Sequence, residues 1–433
     1  MTTIPQLAQV LQAILGPVAD AEAKKTGFVQ RESKLTGAKF VQTLVFGWLE
    51  NAEATLEDLA QTALALGVSI SPQGLDQRFS ESAADLTQAV LEQAIQEAIA
   101  SEPVAIPLLQ RFAGVYILDS STVALPQALA TIWSGCGNQS HKPAAALKIH
   151  LRWEMTTGAL AGPALTAGRL HDRSCSLPAD PLPSGALRLA DLGYFSLDTM
   201  TAMTVQGTYW VSRLQAGTGV FDETGRRRVL SEWLNQQGDT VDMPIVVGTQ
   251  GRVSCRLVAQ RVPEDVARER RQRLRDEAAR RKQPVNDERL RLAAWTFYIT
   301  NGPGSLLSVA EIMVLGRLRW QIELLIKLWK SHGRIDESRS ADPCRVLCEV
   351  YAKLLAMVVQ HWLLLVSCWR YADRSLTKAA KTVRKHARHL EISFADTSKL
   401  SDALDILCTC LAQGCRINKS KRDPRTYQLL ETP

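Results

Sequence analysis

Aromatic residues are scarce in this sequence, at 6% of its 433 positions, and it has no uninterrupted run of the roughly 18 apolar residues that a membrane span requires. The most apolar stretch, 354–366, is broken by Gln360 and His361, so no membrane partner is expected. The opening MTTIPQLAQVLQ lacks the charged region and long apolar run of a secretory leader, which makes a cytoplasmic protein the expectation. Nine cysteines, an odd number, include no CxxC pair with histidines at zinc spacing. This excludes a recognisable zinc module and points to reduced thiols in the core. Internal repeats and low-complexity segments are also absent. What remains is 46% hydrophobic and 22% charged, with a mean hydropathy near zero. That composition supplies apolar mass for large cores and does not suit disorder, collagen or coiled coil. At roughly 150 residues per domain, about three domains or one large domain with an insertion are expected.

The net charge of +7 is unevenly placed. Residues 1–105 hold six Lys/Arg against thirteen Asp/Glu, a balance of −7, so the remainder carries +14. A basic surface of that kind suits a long polyanion such as nucleic acid, bound through counterion release with little regard to sequence. Solubility alone explains it equally well.

Residues 1–105 read as helices, with apolar residues at helical spacing over 35–49, 56–66 and 86–99. Thr55 with Asp58 resembles a capping box, Gly67 stops that helix, and Ser71-Pro72 is an N-cap followed by proline at the first helical position. The resulting helix, turn and helix would leave Gln73, Gln77 and Arg78 on a DNA-reading helix. A plain helical bundle gives the same pattern, and the acidity of the segment argues against strong phosphate contact. From residue 114 the pattern changes to short apolar runs, 114–118, 145–155, 187–190 and 208–212, expected as strands of one mixed sheet. Gln139 to Pro143 and Leu177 to Gly185 would be connecting loops. Alternation over 239–262 suggests further strands. The segment 264–292 holds ten Lys/Arg and seven Asp/Glu, often three or four apart, as in Glu269 with Arg273, and reads as a solvated helix or a phosphate-contacting arm. A strand over 295–300 and then helices complete the chain.

Two strands run into an aspartate in the same way: Val115-Tyr116-Ile117-Leu118 into Asp119, and Leu187-Arg188-Leu189-Ala190 into Asp191. A carboxylate at the end of a buried strand stands at the lip of a sheet, where open α/β folds place their ligands. Hard divalent cations want such oxygens together with substrate phosphates. For either residue alone, a turn or a helix N-cap is the plainer role. In the helix read over 315–331, Arg319, Glu323, Lys327 and Lys330 fall within an arc of about 80°, opposite Leu318, Ile322, Leu325 and Trp329. Ordinary i,i+4 pairing would produce the same polar face.

Taken together, Asp119, Asp191 and Glu323 in this order, with Arg319-x3-Glu323-x6-Lys330, resemble the DDE transposases of bacterial insertion sequences that carry a Tyr-x2-Arg-x3-Glu-x6-Lys signature. Trp320, Ile322, Lys327 and Trp329 are in register with it, and Asp191-Leu192-Gly193-Tyr194-Phe195 is similar to the family's second-aspartate stretch. The chain departs at one position: Gly316 stands where the signature has tyrosine. A phosphate contact made by that hydroxyl would be missing or supplied from elsewhere.

The resemblance implies an α/β fold, an RNase H-like mixed sheet with the first aspartate on strand one, the second on strand four and the glutamate on a later helix. The resemblance covers about residues 112–370 and implies a catalytic core over 109–214 and 304–372, while periodicity gives a helical N-terminal domain over 1–108, a candidate for DNA-end binding. A β-rich insertion over 215–303 would interrupt the core, and a helical, basic region over 373–433 would follow. The 132-residue separation of Asp191 and Glu323 requires such an insertion. It also implies catalytic Asp119, Asp191 and Glu323 holding two Mg²⁺ ions, with Mn²⁺ as a substitute, for nicking and strand transfer at the element's terminal inverted repeats. Arg319, Trp320, Lys327 and Lys330 would contact DNA, with Trp320 stacking on a displaced base or else serving as a core residue. Trp210 and Arg78 are further candidates for DNA contact. The expected partners are double-stranded DNA, as element ends and as target, and a second copy of the chain. A DNA-end-binding descendant that does not cut, and an RNase H-like nuclease without strand transfer, share most of these residues. His171-Asp172-Arg173 would border the site, and His141, His150 and His332 show no metal spacing.

Overall fold

A computed structural model describes the chain except for residues 32, 137–144, 178–179, 421–423 and 432–433. The expected loop Gln139 to Pro143, His141, and Lys421 to Asp423 of the basic tail lie outside the described residues, as does part of the loop after Leu177. The chain divides into two compact units. The first comprises Met1–Ala105, Ser120–Leu177 and Ile322–Lys419, and the second Ile106–Asp119, Pro178–Gln321 and Ser420–Pro433.

The first unit is mainly helical. Its centre is the helix Pro343–Ser367, capped by Asp342 and opened by proline at its first position, and packed by Gly37–Glu50 and Glu81–Ala94. Among the described residues this is the one helix long and apolar enough to cross a membrane, yet 94% of its most apolar window is buried in the protein. It is therefore a core helix, and each fully buried leucine contributes about 1.5–3 kcal/mol. The capping box at Thr55 and Asp58, the Ser71 cap and the left-handed Gly67 all form as expected. The helix expected over 86–99 starts earlier, at the Ser80 cap, and ends at Ala94. Strands β1 (Val115–Leu125), β2 (Ala145–Glu154) and β3 (Leu160–Ala167) are ordered β3-β2-β1, with β2 and β3 antiparallel. The turn between β2 and β3 needs Gly158, whose φ is +79°, because a side chain there would overlap the Trp369 ring. Trp153, His361 and Trp369 cluster at this turn, and Trp153 and His361 hydrogen bond to the Gly158 carbonyl.

The second unit is built on a sheet that begins with the first half of β1. Strands β4 (Leu187–Ala190), parallel to β1, and β5 (Tyr209–Ser212), parallel to β4, follow. The sheet continues through β6 (Val220–Phe221), β7 (Arg227–Arg228), β8 (Thr240–Val247), β9 (Val253–Arg261) and β10 (Trp295–Thr300), in the order β1-β4-β5-β10-β9-β8-β6-β7. Here β10 pairs antiparallel with both β5 and β9, so the strands between Asp191 and Glu323 extend the same sheet. Leu257, Val247, Ile245, Trp210 and Ile299 lie in its buried core. The α/β class, the mixed RNase H-like sheet and the helical flanks accord with expectation. Three local differences have physical causes. β1 does not stop at Asp119 but runs on to Leu125. The charged segment splits into Glu264–Arg280 and Asp287–Leu292, because Pro284 cannot continue a helix. The helix expected over 315–331 is divided at Arg319 into Val309–Leu318 and Trp320–Ser331.

Candidate active site

Strand register builds the first part of the site within the second unit. Leu118 lies opposite Ala190 and Leu189 opposite Val211 in parallel pairs, and Val211 lies opposite Thr300 in the antiparallel pair. Two residues on from Ile117, Leu189 and Val211, where β4 and β5 have ended, and two back from Thr300, the chain places Asp119, Asp191, Arg213 and Tyr298 in one row by sequence offset. Asp119 and Asp191 directly follow Leu118 and Ala190, the last pair of two neighbouring parallel strands. Two carboxylates are thus adjacent, and a cation follows on the next strand. Asp191 occupies the N-cap position of the short helical turn Leu192–Tyr194 but makes no side-chain cap hydrogen bond, so its carboxylate is not consumed as a cap. Its side chain is 45% exposed, and the buried Arg319 brings Nη1 to 3.8 Å from its Oδ1.

In the first unit β1 continues from Ser120. The Ser120 hydroxyl donates to Asp172 Oδ1 at 2.9 Å, and Lys148 Nζ reaches the same oxygen at 3.0 Å. The His171-Asp172-Arg173 loop therefore meets β1 one residue from Asp119. The helix Trp320–Ser331 also meets β1, because Lys330 Nζ donates to the Thr122 carbonyl at 2.9 Å and lies 3.8 Å from Asp336. Glu323 precedes Lys330 by seven residues, which turns it only about 20° on the helix, so it shares the β1-facing side. Leu318, Ile322, Leu325 and Trp329 are buried, as their spacing requires, while Lys327 is exposed. Trp320 is 46% exposed, which removes the core role weighed for it.

Two other candidates fare differently. Trp210 is 1% exposed on β5, and its indole Nε1 donates to Thr204 Oγ1, so it has no face to offer a base and belongs to the core. Arg78 lays its guanidinium 4.8 Å from the Phe28 ring centroid, beyond a helix of only five residues, Pro72–Asp76. Gln73 and Gln77 are exposed there, but one and a half turns make a short reading helix. The nine cysteines are free and six are buried. Burial lowers His150 to about 4, and its Nε2 meets Thr166 Oγ1 at 2.8 Å, as befits a neutral core histidine.

Adjacent carboxylates at a sheet lip are the donor chemistry of a hard divalent cation, and they fit one. Among the described residues, no group of three or more His, Cys, Asp and Glu is gathered as a metal cluster. The second unit supplies the Asp119 and Asp191 pair, and Glu323 stands in the first. Arg213 and Tyr298 stand near the aspartate pair in the second unit, and no motif marks them in the sequence.

A family model for the transposase DDE domain matches residues 110–359. The chain is 26% identical over 423 residues to the transposase for insertion sequence element IS231F of Bacillus thuringiensis subsp. israelensis, covering 91% of this chain and 88% of that protein. It is 25% identical over 417 residues to the transposase for IS231C of B. thuringiensis subsp. berliner, covering 91% and 84%. To the transposase for IS1151 of Clostridium perfringens it is 23% identical over 371 residues, covering 80% and 77%.

Proposed function

The chain belongs to the DDE transposase family, divalent-metal-dependent enzymes that cleave DNA and transfer strands, and we propose that Asp119, Asp191 and Glu323 are its metal-holding catalytic residues. The observation that supports this reading is the parallel pairing of β1 with β4, whose last pair, Leu118 and Ala190, leads into the two aspartates, with Arg319 Nη1 3.8 Å from Asp191. Two Mg²⁺ ions, with Mn²⁺ as a substitute, would activate the attacking water or 3′-hydroxyl when bound and offset charge on the leaving oxygen. Arg319 limits the orientations open to Asp191 through charge and burial. Lys327 is exposed and would meet a phosphate at the surface, while Lys330 is anchored on β1 and adds positive charge there. Exposed Trp320 supplies a stacking surface for a base displaced at the cleavage point.

The substrate would be the element's own terminal inverted repeats, cut and joined to target DNA by a homodimer in the bacterial cytoplasm, at the nucleoid. The +14 balance after residue 105 supports polyanion binding. A DNA-end-binding protein that does not cut is the second reading, motivated by Gly316. Cleavage of a labelled duplex bearing the element's end, in Mg²⁺ and in Mn²⁺, tests both. Native protein should release the end, and Asp191→Asn and Glu323→Gln should bind without cutting. Binding without cleavage by native protein in both metals would leave the second reading.

A further inference from the structure

A cavity of about 330 Å³ opens in the second unit next to the carboxylate row, lined by Leu192, Arg213, Arg270, Thr296 and Tyr298 among others. Leu192 directly follows Asp191. Arg213 is Asp191's neighbour in the row and is exposed. Arg270 comes from the charged helix Glu264–Arg280, and its guanidinium is held by the Trp295 carbonyl at 3.2 Å and Thr296 Oγ1 at 3.1 Å. Those bonds fix the plane of the fork. Tyr298 completes the wall. No carboxylate is among the described residues that line the cavity.

Two arginines line one cavity that no acid lines, an arrangement that an anion bridging them would stabilise. Burial first, and then the neighbouring Arg213, hold Arg270 below its ordinary value, as expected for a cation that lacks a counter-charge on that side. Two other arginines of the same helix pair with acids, Arg271 with Glu264 and Arg273 with Glu269. Arg270 instead points its fork at the strand that carries Tyr298.

We propose that Arg213 and Arg270 form a binding subsite for one backbone phosphate of the DNA strand, next to the phosphate that is cut at Asp191. This rests on the transposase reading and adds to it a residue set outside the family signature. Two source strands have the same chemistry, the element end and the target, and the subsite would hold a phosphate from one of them.

The test is equilibrium binding in EDTA over a salt series, with a duplex bearing the element's end and a target duplex, for native protein, Arg270→Gln and Arg213→Gln. Exposed Arg275→Gln on the same helix is the control. Loss of one phosphate contact lowers the slope of log affinity against log salt by about 0.9, with a fall in affinity of roughly tenfold near physiological salt. Arg270→Gln and Arg213→Gln should each show this on one of the two duplexes, with Arg275→Gln unchanged. A methylphosphonate scan then locates the contact. One neutralised position should weaken native protein and leave the Arg270→Gln variant no weaker than before. Should Arg270→Gln fail to fold, Arg213→Gln carries the same comparison. Slopes equal to native, or equal losses in the Arg275→Gln control, would overturn the subsite while cleavage by native protein kept the transposase reading. If native protein neither bound nor cut either duplex, both would fall.

Discussion

The phenol of Tyr298 rests on the backbone of Gly316, so that a β-carbon at 316 would overlap the ring at Cζ and the hydroxyl. Glycine here is the partner of a tyrosine on β10. Gly316 lies on the helix Val309–Leu318 and Tyr298 on β10, so the helix meets the strand at this contact. Gly316→Ala should therefore destabilise the protein by about 1–3 kcal/mol, the usual cost of overpacking. Gly316→Tyr should cost more, and pairing it with Tyr298→Ala should recover much of the loss. Denaturant titration of the two single variants and the pair gives the coupling. Additive losses would mean that the two positions do not compete for one space.

Much of this arrangement is legible in the sequence, and the limits are physical. Asp119 and Asp191 each follow a short apolar run, which is enough to place them on strands. Glu323 and Lys330 are related by helical spacing alone. Strand β3 is not legible, because Leu160–Ala167 is rich in alanine and contains glycine and proline, with threonine its only β-branched residue. The row that joins Asp191 to Arg213 and Tyr298 depends on the pairing of β5 with β10, two strands far apart in the chain, and no local pattern encodes it. Trp210 misleads for a related reason. An aromatic on a strand beside a candidate site reads as a stacking platform, and only the packing of its own sheet shows that the side chain faces inward. The break at Arg319 is equally silent, since the apolar period continues through it.

Lys353 and Glu349 form an ion pair of 2.7 Å inside the core of the first unit, with side-chain exposures of 2% and 6%. The pair is not bare. Lys353 also donates to the carbonyls of Arg334 and Glu337 at 3.0 and 2.8 Å, and Ser338 donates to Glu349 at 2.7 Å. Removing one partner leaves a buried charge with its solvation lost, so Lys353→Met should cost about 3–5 kcal/mol. Removing both charges in Lys353→Met with Glu349→Leu should cost much less, because the apolar helix Pro343–Ser367 already surrounds them. Thermal or denaturant unfolding of the three variants decides it. Equal losses in single and double variants would show that the backbone carbonyls, and not the charge, govern the site.

Glu391 is 1% exposed on the helix Leu376–Ser393, and burial, with Glu50 nearby, raises its carboxyl to about 7 although Arg388 lies 3.0 Å away. A carboxyl with a folded value above its unfolded value of 4.5 binds its proton more tightly in the native state. Its contribution to stability is therefore complete below pH 4.5 and is lost as pH rises through 7. Two buried histidines act in the opposite sense. His150 and His361 are both held near 4, so they stabilise increasingly as pH rises from 4 to 6.5. The raw stability profile mixes these effects, but Glu391→Gln removes only the first. The stability difference between native protein and Glu391→Gln should fall as pH rises from 4.5 to 7, by on the order of 3 kcal/mol. Urea titrations of both proteins across that range measure it. A difference independent of pH would mean that Arg388 keeps Glu391 ionised throughout, with the ion pair strong enough to offset burial.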